Sequence, residues 1–190
     1  MEKNVFYEKQ PKVLYSGSKA MVLLNEQVEN EKIGALVNGE TPIEERKAYH
    51  YDCYWLDGVN EQTEESVLIA AKSSIISEIT AYDSSTAVNS FLLNGMEVWL
   101  DKATRVGLMN STTIAKSMGQ QKTTLWLGSY QLEVDCDKAI QLLSALEMYA
   151  LECFNVTAAH KKAVSELDNI EGVLTYDYKS GYPEKLKMEV

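Results

Sequence analysis

The chain has 190 residues, 45% of them apolar and 24% charged, with a formal charge of −10 at pH 7. That composition excludes a disordered chain and is sufficient to bury a sizeable core. The acidic balance runs through both halves and argues against a nucleic-acid partner, because releasing counterions from a phosphate backbone needs a positive surface. No run approaches the roughly 18 apolar residues of a membrane span, and Met1-Glu2-Lys3-Asn4 does not begin a basic-then-apolar leader. Synthesis in the cytoplasm without membrane insertion is therefore expected.

Lys12 to Leu24 reads as a hairpin, with strands Val13–Tyr15 and Met21–Leu24 joined across Ser16-Gly17-Ser18. Glu26 to Arg46 reads as an acidic loop broken by Gly34, Asn38-Gly39 and Thr41-Pro42, with Ile33 to Val37 as an optional strand. Tyr49 to Leu56 alternates with period two. Tyr49, Tyr51, Cys53 and Trp55 share one face, and His50, Asp52, Tyr54 and Leu56 share the other. Large side chains on both faces leave two readings open: a strand covered on both sides within its own chain, or one whose second face docks a partner.

Thr63 to Tyr82 changes to helical spacing, with Leu68, Ala71, Ile75, Ile79 and Tyr82 forming a stripe and Glu64 and Glu65 in the first turn. The stripe is expected to pack within its own chain; a short coiled coil is the alternative. Asn94-Gly95 between Phe91–Leu93 and Met96–Leu100 is a strong hairpin signal, since both turn positions want positive φ. Asp101 then caps a helix to about Met118, closed by Gly119. A second hairpin pairs Thr123–Leu127 with Tyr130–Val134 across Gly128-Ser129. Asp135 is placed to cap the next helix, where Ala139, Leu142, Leu143, Leu146, Tyr149, Ala150 and Cys153 make the cleanest amphipathic pattern in the chain. Thr157 reads as the cap of a separate helix through Leu167, and Asp168 or Asn169 opens a short last one through Leu174. The whole is α+β: a β-rich N-terminal module over 1–60, a linking helix over 61–85, and a C-terminal domain over 86–190 with two hairpins and three to four helices.

Candidate chemistry is sparse. Cys53, Cys136 and Cys153 are odd in number and far apart, with only His50 and His160 beside them, so neither zinc spacing nor a disulfide framework is present and no metal or organic cofactor is expected. Cys153 and His160, seven residues apart across the expected helix break, are a conceivable nucleophile and base, although Cys153 lies on the apolar stripe. The carboxylates flanking Cys136 and preceding Cys53 raise rather than lower a thiol pKa. Asp101 and Arg105 have the spacing of a helix ion pair. Gly119 and Gly128 stand alone, without a phosphate-cradling pattern. Asn110-Ser-Thr and Asn155-Val-Thr fit the glycosylation pattern but read more simply as cap and surface residues. Eleven tyrosines against three Phe and three Trp hint at a surface that meets a partner. The candidate interface is Tyr49, Tyr51, Tyr54, Trp55 and Leu56, with Tyr182 of Gly181-Tyr182-Pro183 either tucked against its own domain or presented to a neighbour.

Several pieces form a second pattern: Trp99-Leu100-Asp101 with Arg105 one turn on, Leu143-Ser144-Ala145-Leu146 with Tyr149-Ala150 and Cys153, then His160, and Tyr176-Asp177 ahead of Gly181-Tyr182-Pro183. Over about Val67 to Leu186 the chain resembles the domain of unknown function 4376 family of tailed-phage and prophage genes in gut bacteria, often found at the C-terminal end of tail-associated proteins. The resemblance implies a context and no reaction. It leads to the expectation of a non-enzymatic phage structural or adaptor protein, tail or tail-fibre associated. Its partners would be tail or tail-fibre proteins, or further copies of itself, and it would be made in the host cytoplasm and incorporated into the virion. A tail-fibre assembly chaperone and a small hydrolase are the rival expectations.

Overall fold

In the computed structural model, which describes residues 2–34 and 43–190, the chain is α+β and separates into two compact units. One comprises Met1–Ile75 with Glu166–Tyr176, the other Ile76–Ser165 with Asp177–Val190. The division falls within the helix that the sequence reads as a linker, and a stretch near the C-terminus groups with the N-terminal unit.

The first unit is built on a four-stranded antiparallel sheet in the order β1-β4-β3-β2, with β1 Glu2–Phe6, β2 Val13–Ser16, β3 Lys19–Gly34 and β4 Ile43–Asp57. The expected hairpin is present, with Val13 opposite Val22 and Gly17 at φ 62° in its turn. Within the span read as a loop, Glu26 to Gly34 and Ile43 to Arg46 are strand. β3 continues past a register shift between Leu24 and Gln27, pairing Val28 with Tyr49 and Glu31 with Arg46. Polar, charged residues suit this stretch because β1 and β2 pair only with the inner parts of β4 and β3, so the outer ribbon needs no buried face. Asn38-Gly39 and Thr41-Pro42 lie outside the described residues.

Both faces of the inner sheet are covered. Met21, Leu23, Tyr51 and Cys53 form a small core that Phe6, Leu14 and Tyr49 flank. On the opposite face Ala20, Val22, Leu24 and Leu56 are at most 3% exposed, in the same unit as the buried Val67, Ala71 and Ile75 of helix α1, Glu64–Asp83. Thr63 opens α1, its hydroxyl accepting from the Ser66 N–H. The buried ridge runs through Val67, Ala70, Ala71, Ile75 and Ile79, so the stripe finds its cover inside the chain, turned slightly from the expected Leu68. Helix α5, Ile170–Leu174, is capped by Asn169, whose side chain accepts from the Gly172 N–H, and buries Ile170, Val173 and Leu174.

In the second unit a one-turn helix α2, Thr86–Asn89, leads into β5 Ser90–Leu93 and β6 Met96–Trp99. Their turn has Asn94 at φ 49° and Gly95 at φ 80°, the positive pair that Asn-Gly supplies at low cost. A two-residue strand, β9 Lys187–Met188, adds to β5 in parallel. Asp101 caps helix α3, Lys102–Ser117, and Gly119 at φ 83° closes it. Strands β7 Lys122–Leu127 and β8 Tyr130–Asp135 form the second hairpin. Helix α4, Cys136–Glu166, begins directly after Asp135 and continues unbroken for 31 residues. The expected break at Thr157 is absent. Thr157 is 2% exposed in mid-helix, and its hydroxyl donates to Asp83 Oδ1 at 2.8 Å instead of capping a new helix. The core gathers Val88, Phe91, Leu93, Val98 and Leu100 from the first hairpin region, Leu125 and Leu127 from β7, and Ala139, Leu143, Leu146, Tyr149 and Cys153 from α4.

Candidate functional site

Residues around the start of α3 and the middle of α4 line a recess of about 530 Å³ in the second unit, within the size range of small-molecule sites. Glu147, Ala150, Leu151 and Phe154 lie on one face of α4 at helical spacing and form one wall. Trp99, Leu100, Asp101, Lys102 and Arg105 form another, with Asp83, Ser84 and Asn89 completing the lining. The lining therefore includes Trp99-Leu100-Asp101, Arg105 and Ala150 from the pattern that carries the family resemblance.

Arg105 anchors the recess. Its side chain is only 9% exposed, with Nε donating to Glu147 Oε1 at 2.9 Å and Nη1 donating to the Leu100 carbonyl at 2.9 Å. The Asp101–Arg105 ion pair suggested by spacing does not form. Asp101 is committed to the helix end: Oδ1 accepts from the Thr104 N–H at 2.8 Å and Oδ2 from the Thr104 hydroxyl at 2.7 Å. These bonds, the hydroxyl's first, hold its carboxyl below the usual range. Glu147 was not legible as the partner because it lies 42 residues from Arg105, and helical periodicity reports which face a residue occupies but not what faces it.

The surfaces around this framework are apolar and open, with two aromatic rings: Trp99 is 39% exposed, Leu151 47% and Phe154 59%. Behind it, Tyr149 donates its hydroxyl to the Val88 carbonyl at 2.6 Å, and Cys153 Sγ lies 3.7 Å from the same oxygen. Burial pushes both the Tyr149 phenol and the Cys153 thiol up, as it does the Cys53 thiol.

Cys153 and His160 are not brought together. In one continuous helix seven residues span about 10 Å of axial rise, and the His160 ring turns to the Ser180 carbonyl, 2.9 Å from Nε2. Tyr182 is tucked in. Its hydroxyl is 2.9 Å from Thr157 Oγ1, and its ring meets Tyr82 edge to face at 5.6 Å. In the N-terminal strand, Tyr51 and Leu56 are 4% and 2% exposed, so these two of the interface candidates lie inside the unit and not on its surface. Tyr51 donates to Glu26 Oε2 at 2.7 Å, Tyr49 and Tyr54 are half-buried, and Trp55, at 51%, is the one that stands open. Of the two readings left open for this strand, cover from within the chain holds at Tyr51 and Leu56, while Trp55 remains exposed.

Among the described residues no group of three or more His, Cys, Asp or Glu side chains is placed to hold a metal ion, and no helix is long and apolar enough to cross a membrane. No protein-family model, curated protein or solved structure matches the chain.

Proposed function

We propose that this chain is a non-enzymatic structural or adaptor protein of a tailed phage, associated with the tail or tail fibre, made in the host cytoplasm and incorporated into the virion. The observation that carries the reading is the convergence of Trp99, Leu100, Asp101, Arg105 and Ala150, all part of the phage-family resemblance, on one recess. Their polar groups there hold the scaffold: Asp101 caps a helix, and Arg105 ties α3 to Glu147 and to the Leu100 carbonyl. Such a framework presents a fixed surface, which suits binding. The hydrolase reading rested on Cys153 and His160, which lie about two turns apart on one continuous helix, with the His160 ring at the Ser180 carbonyl.

The partner is a tail or tail-fibre protein or a further copy of the chain, and exposed Trp55 is the aromatic side chain of the N-terminal sheet available to it. Quantitative mass spectrometry of purified particles tests the assignment. A fixed copy number per particle is expected. Presence in the infected-cell lysate together with absence from particles would assign the chain to the assembly-chaperone class instead.

A further inference from the structure

The charges around the recess are mixed in sign. Asp83, Asp101 and Glu147 face Lys102 and Arg105, and the Arg105 charge is already matched by Glu147. A free anion meets an excess of carboxylates, and a free cation meets the guanidinium and the amine, so neither ion is selected. A purely apolar occupant is disfavoured for a different reason, since it would cover polar atoms without pairing them.

Those atoms are of both kinds. Arg105 uses Nε and Nη1 internally and leaves Nη2 to donate, while Glu147 and Asp83 each keep one carboxylate oxygen that accepts no hydrogen bond from the described residues. Beside them stand the exposed rings of Trp99 and Phe154. An aromatic face carries negative charge density and attracts the weakly positive C–H groups of a ligand. The complementary molecule is neutral, has hydroxyls that donate and accept, and has one C–H-rich face to lie on a ring. We propose that the recess binds carbohydrate through a neutral pyranose unit, with Trp99 and Phe154 as stacking surfaces and Arg105, Glu147 and Asp83 as hydroxyl partners. This does not rest on the virion assignment, since it concerns the isolated chain.

The test applies the purified 190-residue chain to an array of neutral and acidic glycans, followed by calorimetry with the best neutral oligosaccharide found. Binding to neutral glycans is expected, nearly independent of salt because no ligand charge is screened, and weakened at least tenfold by Trp99→Ala and by Phe154→Ala. Phe154 is the more exposed of the two, so its variant keeps the test valid if Trp99→Ala fails to fold. Trp126→Ala, altering an exposed tryptophan outside the lining, should bind as the unaltered protein does. Three outcomes overturn the proposal: no glycan bound, binding confined to acidic glycans and lost with salt, or binding unchanged in Phe154→Ala.

Discussion

Replacing Tyr149 by Phe removes a single hydroxyl from the centre of the second unit and leaves the ring to fill the same space. In the native structure that hydroxyl donates to the Val88 carbonyl at 2.6 Å, with the Ser90 carbonyl 3.3 Å away, and the residue is 6% exposed. Without it, the donor left to Val88 O among the described residues is the weak Cys153 thiol at 3.7 Å. Losing a buried hydrogen bond and leaving its acceptor poorly satisfied costs about 1 to 2 kcal/mol. For a cooperative unit of roughly a hundred residues, each kcal/mol lowers Tm by about 4 to 8 °C. Thermal and urea unfolding, followed by circular dichroism, measure this directly. The pH dependence adds a second signature. Burial raises the Tyr149 phenol above its ordinary value, so near pH 8 both folded and unfolded states hold the proton and the group adds no pH dependence. Above about pH 10 the unfolded chain releases it while the folded chain does not, and stability falls as pH climbs towards the folded value. Tyr149→Phe lacks this component. The stability gap between the two proteins should therefore narrow from pH 8 to pH 11. A loss below about 0.5 kcal/mol, well under the range for such a bond, or a gap that widens with pH, would refute the reasoning.

Three further outcomes are expected. Leu146, 2% exposed in the main core, should cost roughly 2 to 5 kcal/mol when replaced by Ala; a change under about 0.5 kcal/mol by the same unfolding assay would mean the stripe of α4 is wrongly placed. All three cysteines are buried and burial raises the thiols of Cys53 and Cys153, so a thiol-reactive chromophore at pH 8 should label the native protein far more slowly than the chain in denaturant. Rapid native labelling would contradict the burial. Thr157→Val, which keeps the shape and removes the hydroxyl that meets Asp83 and Tyr182, should destabilise by about 1 kcal/mol without lowering helix content. A drop in helical signal would restore a helix boundary at this position.

The parts legible in the sequence are those set by short-range chemistry. Asn94-Gly95 demanded a turn of positive φ, Asp101 stood at a helix start, and the spacing from Ala139 to Cys153 could only be one face of a helix. Features set by long-range pairing were not legible. β1 is a polar edge strand that exists because Glu2 to Phe6 find Cys53 to Tyr49. The outer parts of β3 and β4 look like loop because they carry charge, yet they pair residue for residue. Thr157 carries the same local signal whether it caps a helix or sits inside one. Only the presence of Asp83 across from it decides. The recess was half legible: its Trp99 to Arg105 segment stood out, while the α4 wall of Glu147, Leu151 and Phe154 did not, since an exposed aromatic on a helix resembles a core residue until the partner face is known.

The parallel pairing of β9 with β5 sets the order in which the second unit matures. Leu92 donates to the Leu186 carbonyl and Asn94 to that of Met188, while β5 and β6 meet across a two-residue turn. The hairpin closes a minimal loop, but the β9 contact must close one of roughly ninety residues, with an entropy cost that grows as the logarithm of that length. Such a contact gains little until the intervening core has condensed and shortened the effective loop. β5 is therefore expected to have one edge unpaired early in folding, with Met188, 7% exposed in the structure, buried late. If the β9 contact forms after the rate-limiting step, Met188→Ala is expected to speed unfolding more than it slows folding, which a chevron plot of the two proteins measures.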